Sequence, residues 1–116
     1  MNIYLAGPMR GYAEFNFPAF HAHAADIRAA GHFVFNPAEA DNEHHGRDIS
    51  KGNSGGCEKQ AAEEHGFDLR RALGVDLSWI CAEADAVALM PGWEASQGAN
   101  AERATALALG LEIIIL

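Results

Sequence analysis

The stretch Ala84 to Glu102, ADAVALMPGWEASQGANAE, decides the architecture. Ala86 to Met90 form an apolar run without charge, the pattern of a strand covered on both faces in a parallel sheet. Pro91-Gly92 stops it. Trp93 to Gly98 then read as a loop, and from about Gln97 an alanine-rich stretch with few breakers predicts a helix. In an open α/β sheet a strand-loop-helix order puts the loop at the carboxyl end of a strand, where ligands bind. The free N–H groups of the helix start favour an anion such as phosphate. Glu102 falls one turn into this helix, within reach of its dipole, and Ser96, Gly98 and Ala99 leave backbone exposed beside the carboxylate. A glutamate that merely satisfies a helix dipole would have the same surroundings in sequence.

Working back to the start, Ile3 to Ala6 predict a first strand ended by the Gly7-Pro8 turn, with Arg10 and Gly11 just beyond it. An arginine flanked by glycine there can clamp a phosphate bidentately, or simply cover surface. Asn16 is the expected cap of the next helix, with Pro18 in its first turn, and Phe17, Phe20, Ala24 and Ile27 recur at helical spacing. His21 and His23 are two residues apart on that helix, point different ways and cannot share a metal. Gly31 ends the helix, and Phe33 to Phe35 form a second strand closed by Asn36-Pro37. This β-α-β unit predicts two adjacent parallel strands.

From Ala38 to Gly66 the periodicity vanishes into EADNEHH and KGNSGG, so the segment reads as a long flexible insertion serving as a mobile lid. The spacing of His44, His45, Cys57 and His65 fits no standard zinc site, and no metal is expected. Leu69, Leu73, Leu77 and Ile80 then mark an amphipathic helix over about Phe67 to Ala82. Asp76 stands at the edge of its apolar stripe, either as a plain surface carboxylate or, with Trp79 one turn away, as part of a surface presented to a base. Gly110 ends the last helix and EIIIL at Glu112 to Leu116 makes a final strand. The expected fold is a single α/β domain over residues 1–116. It is a small open parallel sheet of about four strands in the order 2-1-3-4, with helices on both faces in the Rossmann or flavodoxin manner.

A net charge of -8 and a pI near 5.0 argue against a nucleic-acid polymer as partner, because counterion displacement needs lysine and arginine. They leave a mononucleotide open. Cys57 and Cys81 lie in dissimilar contexts and predict no disulfide; the start lacks a basic leader and no run reaches membrane length. A cytoplasmic protein with no membrane partner is expected.

IYLAGPMRG, DLSWICAEADAVALM and SQGANAE, in this order, resemble segments of the nucleoside 2-deoxyribosyltransferase superfamily. Within it the closer resemblance is to phage and bacterial proteins grouped as a domain of unknown function, over residues 1–38 and 67–116. The resemblance implies that Glu102 is a nucleophile attacking the anomeric carbon, that Asp76 assists proton transfer to the base, and that Tyr4 stands near the nucleophile. Relatives that hydrolyse deoxynucleoside 5′-monophosphates hold the phosphate with a G-S-I-R-G turn, which implies the same part for Gly7, Met9, Arg10 and Gly11; Pro8 replaces the serine. Six residues before the nucleophile, nucleoside-specific relatives carry an aspartate and this chain has Ser96, which can donate to a phosphate instead of repelling it.

The expected substrate site therefore comprises Glu102, Asp76 and Tyr4 as catalytic residues, with Gly7, Met9, Arg10, Gly11, Ser96, Gly98 and Trp79 binding substrate. No cofactor is expected. The implied activity is an N-glycosidase or deoxyribosyltransferase acting on a small (deoxy)nucleoside 5′-monophosphate, in a homodimer or dimer of dimers. Two alternatives stand beside it. One is a non-catalytic nucleotide-binding module; the other is a cytokinin-activating-type phosphoribohydrolase, whose PGG-x-G-T-x-x-E loop PGWEASQGANAE loosely resembles.

Overall fold

A computed structural model describes residues 1–116. The strands are β1 (Asn2–Ala6), β2 (Phe33–Phe35), β3 (Ala86–Leu89) and β4 (Glu112–Ile115). They form one four-stranded sheet in the order β2-β1-β3-β4, and every pairing is parallel. Tyr4 pairs with Phe35 on one side and Val87 on the other, so β1 is central and its side chains are covered from both directions. The fold class and strand order are those expected from the sequence.

Alternation along the strands divides the core into two halves. Ile3, Leu5, Ala86 and Ala88 face one half, with Phe17, Phe20 and Ala24 of helix α1 (Phe17–Ala29). Tyr4, Ala6, Val87 and Leu89 face the other, with Ile80 of α4 (Leu69–Glu83) and Ala99 and Ala106 of α5 (Gln97–Ala108). Alanines on α5 let that helix lie close to the sheet, which brings a glutamate one turn in against a tyrosine of the central strand.

The segment read as an irregular insertion is instead largely helical. It holds α2 (Pro37–His45) and α3 (Glu58–His65). Asn36 caps α2 through its side chain to the Ala38 N–H, Pro37 occupies the first turn, and Gly46 closes the helix in a left-handed conformation at φ 69°. Both helices bury little more than alanine, through Ala38 and Ala61, with Ile49 as the one large apolar anchor between them. That thin content hid them from a periodicity reading. Asn16 also departs from expectation. It sits at the N-cap position of α1 but in a left-handed conformation, and its side chain donates to the Pro8 carbonyl rather than to the helix. No helix is long and apolar enough to cross a membrane, and both cysteines are free.

Candidate functional site

At the carboxyl ends of β1 and β3 lies a cavity of about 340 Å³. Its floor is the pair Tyr4 and Glu102. The Tyr4 hydroxyl, fully buried in the central strand, donates to Glu102 Oε2 at 2.6 Å, the short length of a charge-assisted O–H···O bond. Phe35 stacks on the Tyr4 ring at 5.5 Å and fixes its direction. Asp76, on α4, opens into the same cavity.

The electrostatics follow from burial in an apolar setting. Burial pushes the Glu102 carboxyl up to about 8; the Tyr4 bond pulls it down, and the neighbouring Asp76 and Asp41 charges push it further up. Asp76 is raised to about 6, again chiefly by burial, with Tyr4 and Arg71 acting in the opposite sense. Tyr4 itself is held well above the ordinary phenol range by burial and by the Glu102 and Asp76 charges, so it is a proton donor and never a phenolate at neutral pH. Groups this close titrate as a set.

One end of the cavity is lined by the start of α5. Ser96 caps α5, its Oγ accepting from the Ala99 N–H at 3.1 Å. The N–H groups of Gln97 and Gly98 have no acceptor within the chain. Asn100 staples the preceding loop by donating to the carbonyls of Trp93, Glu94 and Ser96. From the β1 side come Gly7, Met9 and Arg10. Gly7 is a packing requirement: a Cβ there would lie 2.8 Å from Met90 Sδ, so the loops after β1 and β3 touch because position 7 has no side chain. Arg10 is ion-paired with Glu58 at the start of α3, 3.3 Å away. Gly11 donates to the Gly56 carbonyl at 3.0 Å, which ties the arginine loop to the middle segment.

Of the residues singled out in sequence, Tyr4, Asp76, Glu102, Gly7, Met9, Arg10, Ser96 and Gly98 line this one cavity. Gly11 and Trp79 do not. Gly11 acts through its backbone contact with Gly56. Trp79 turns along the sheet edge, its ring 5.0 Å from Phe35 and 6.0 Å from Phe33, so it covers β2 instead of facing a ligand. Residues three apart on a helix are offset by about 60°. Here that offset is enough to separate Asp76 from Trp79.

Sequence reasoning missed several lining residues. Phe15 and Phe67 meet at 6.4 Å, and Ile49 stands in the wall contributed by the segment taken for a loop. So does Asp41, which α2 carries into the cavity at 7% exposure. Its only sequence signal is the spacing of four from Pro37, which puts both on one face of a helix begun by Asn36. No group of three or more His, Cys, Asp or Glu side chains is arranged to hold a metal ion.

A buried tyrosine–glutamate pair thus lies in a cavity at the carboxyl edge of the parallel sheet of an α/β domain, with an acid on one wall and a helix N-terminus on another. The chain matches over residues 1–115 a family described as a domain of unknown function, DUF4406, and belongs to it. The bounds of the match enclose the middle segment, residues 38–66. No curated protein and no solved structure matches the sequence.

Proposed function

We propose that the chain cleaves the base–sugar bond of a small nucleotide, a (deoxy)nucleoside 5′-monophosphate, as an N-glycosidase or base-exchanging transferase with Glu102 as nucleophile. The observation that carries this reading is the 2.6 Å bond from Tyr4 to Glu102 in a cavity that Asp76 also enters. A carboxylate aimed by a fixed donor is a positioned nucleophile, and a second carboxyl with a pKa near neutrality is a proton source. The phosphate occupies the Ser96 to Gly98 end, against unshared N–H groups, the serine hydroxyl and Arg10.

In the first step Glu102 forms a bond to C1′ as the C1′–N bond breaks; the bonding pair leaves with the base, which takes a proton from Asp76. Water then attacks C1′, gives its proton back to Asp76 and frees the Glu102 carboxylate, while attack by a second base gives exchange instead. This is the double displacement of retaining glycoside hydrolysis. Glu102 must be ionised to attack, and burial opposes that in the empty site. Tyr4 favours the anion. The ring atoms of sugar and base meet Phe15, Phe17, Ile49 and Phe67 on the apolar walls. A homodimer completes the open side of the cavity.

The test is a panel of nucleosides and nucleotides incubated with the protein and analysed for free base by chromatography. Release from at least one monophosphate, lost at least about a thousandfold in Glu102→Gln with the fold kept, is the expected result. Undiminished release by Glu102→Gln would refute the nucleophile.

A further inference from the structure

Asp41 is buried, lines the cavity and takes no part in the chemistry just described. Only 7% of it is exposed. Nevertheless, no backbone N–H or side chain of the protein donates to its carboxyl group, and no ammonium or guanidinium lies within ion-pair distance of it. Arg71, the cation whose field reaches it, also faces Asp76 and pairs with neither. The Asp41 oxygens are not sealed off, since the one sealed side-chain atom without a partner is His45 Nε2; they open to the cavity with no donor from the protein. Burial accordingly pushes this carboxyl up to about 7, helped by the Asp76 charge. Its position is set with care: Asn36 caps α2, Pro37 opens it, and one turn on the helix delivers Asp41 to the wall.

We propose that Asp41 selects the base, its carboxyl accepting a hydrogen bond from the exocyclic amino group of the nucleobase. Amino-bearing bases such as cytosine and adenine are then taken, and their oxo counterparts uracil and hypoxanthine are refused. The inference rests on the nucleotide reading of the cavity. Its chemistry is that of the ionised carboxylate, which only accepts: it takes an amino N–H and sets lone pairs against those of a carbonyl, whereas the neutral acid carries an O–H that can donate to that carbonyl. Most of the other lining residues are hydrophobic, which suits a flat heterocycle recognised at one polar edge.

Equilibrium binding of matched pairs at about pH 8, above the Asp41 value of about 7, decides the matter: dCMP against dUMP and dAMP against dIMP, titrated calorimetrically into the full chain. The amino member of each pair is expected to bind at least about tenfold tighter, as for a hydrogen bond to a charged or polarised acceptor. In Asp41→Asn, whose amide both donates and accepts, the ratio is expected to fall to within about twofold. The same variant is expected to melt no lower than the parent, because it loses an unpaired buried acid; a merely structural Asp41 would lower the melting temperature. Equal binding within each pair by the parent, or an unchanged ratio in Asp41→Asn, overturns the assignment and leaves the nucleotide reading standing. A parent that binds none of the four overturns both. The comparison within the parent needs no variant to fold.

Discussion

Replacing Tyr4 by phenylalanine removes one hydroxyl from the floor of the cavity, and the outcome depends on the charge of Glu102. Tyr4 is fully buried, its ring is held by Phe35, and its hydroxyl donates to Glu102 Oε2 at 2.6 Å. A neutral carboxyl loses about 1 kcal/mol with such a bond, an ionised one about 2–3 kcal/mol. Burial raises Glu102 from its ordinary 4.5 to about 8. The folded state therefore binds a proton that the unfolded state has released between those values. Stability falls as pH rises through that window, and above it the loss is complete. Asp41 and Asp76, raised to about 7 and about 6, add to the fall in the same direction. At pH 6 the phenylalanine variant is expected to melt about 4 °C below the parent, and at pH 9 about 8–12 °C below it, at roughly 4 °C per kcal/mol for a chain of this size. The Glu102 pKa, followed by carboxyl carbon NMR, is expected to rise by about one unit, since 1.36 kcal/mol corresponds to one unit. Melting curves that keep a constant gap between pH 6 and pH 9 would refute the claim that Tyr4 stabilises the Glu102 anion.

Releasing Arg10 from its partner is expected to strengthen phosphate binding: Glu58→Ala removes an exposed ion pair worth at most about 1 kcal/mol to the fold, so the melting temperature stays within a few degrees while a monophosphate binds several-fold tighter. A weaker affinity in that variant would show that Glu58 holds Arg10 in place instead of competing for it. Sedimentation is expected to report a two-fold dimer or a dimer of dimers at micromolar concentration. A fully active monomer would exclude that.

Charge-free runs such as AVALM announced the sheet because strands buried on both faces can be little else, and the turn residues after them placed the cavity. Asp76 and Glu102 stood out for the same reason, each at a recognisable point of a regular element, whereas Tyr4 was singled out only by the resemblance to the deoxyribosyltransferase superfamily. The segment from Ala38 to Gly66 was not, because α2 and α3 fold with almost no apolar stripe and are secured by Ile49, by the Asn53 side chain bridging to Cys57, and by the backbone bond from Gly11 to Gly56. These are long-range or loop contacts with no periodic trace. The signals that did exist were local caps, Asn36-Pro37 before α2 and Gly46 and Gly66 after the two helices, and the first of these also reads as the end of a strand. Asp41 was hidden with its helix. Trp79 was misplaced by a side-chain direction that spacing does not record.

The hydroxyl of Tyr4 and the carboxyl it meets are 98 residues apart in the chain. During synthesis β1 is made before β2 and finds it soon after, but β3 and the glutamate helix are made only after the whole middle segment. At typical elongation speeds the wait is on the order of ten seconds. Throughout it one edge of the central strand is open, a period in which a nascent chain is exposed to wrong pairing. The Tyr4–Glu102 pair consequently forms only after the glutamate helix has emerged, and a chain cut before Glu102 does not carry it.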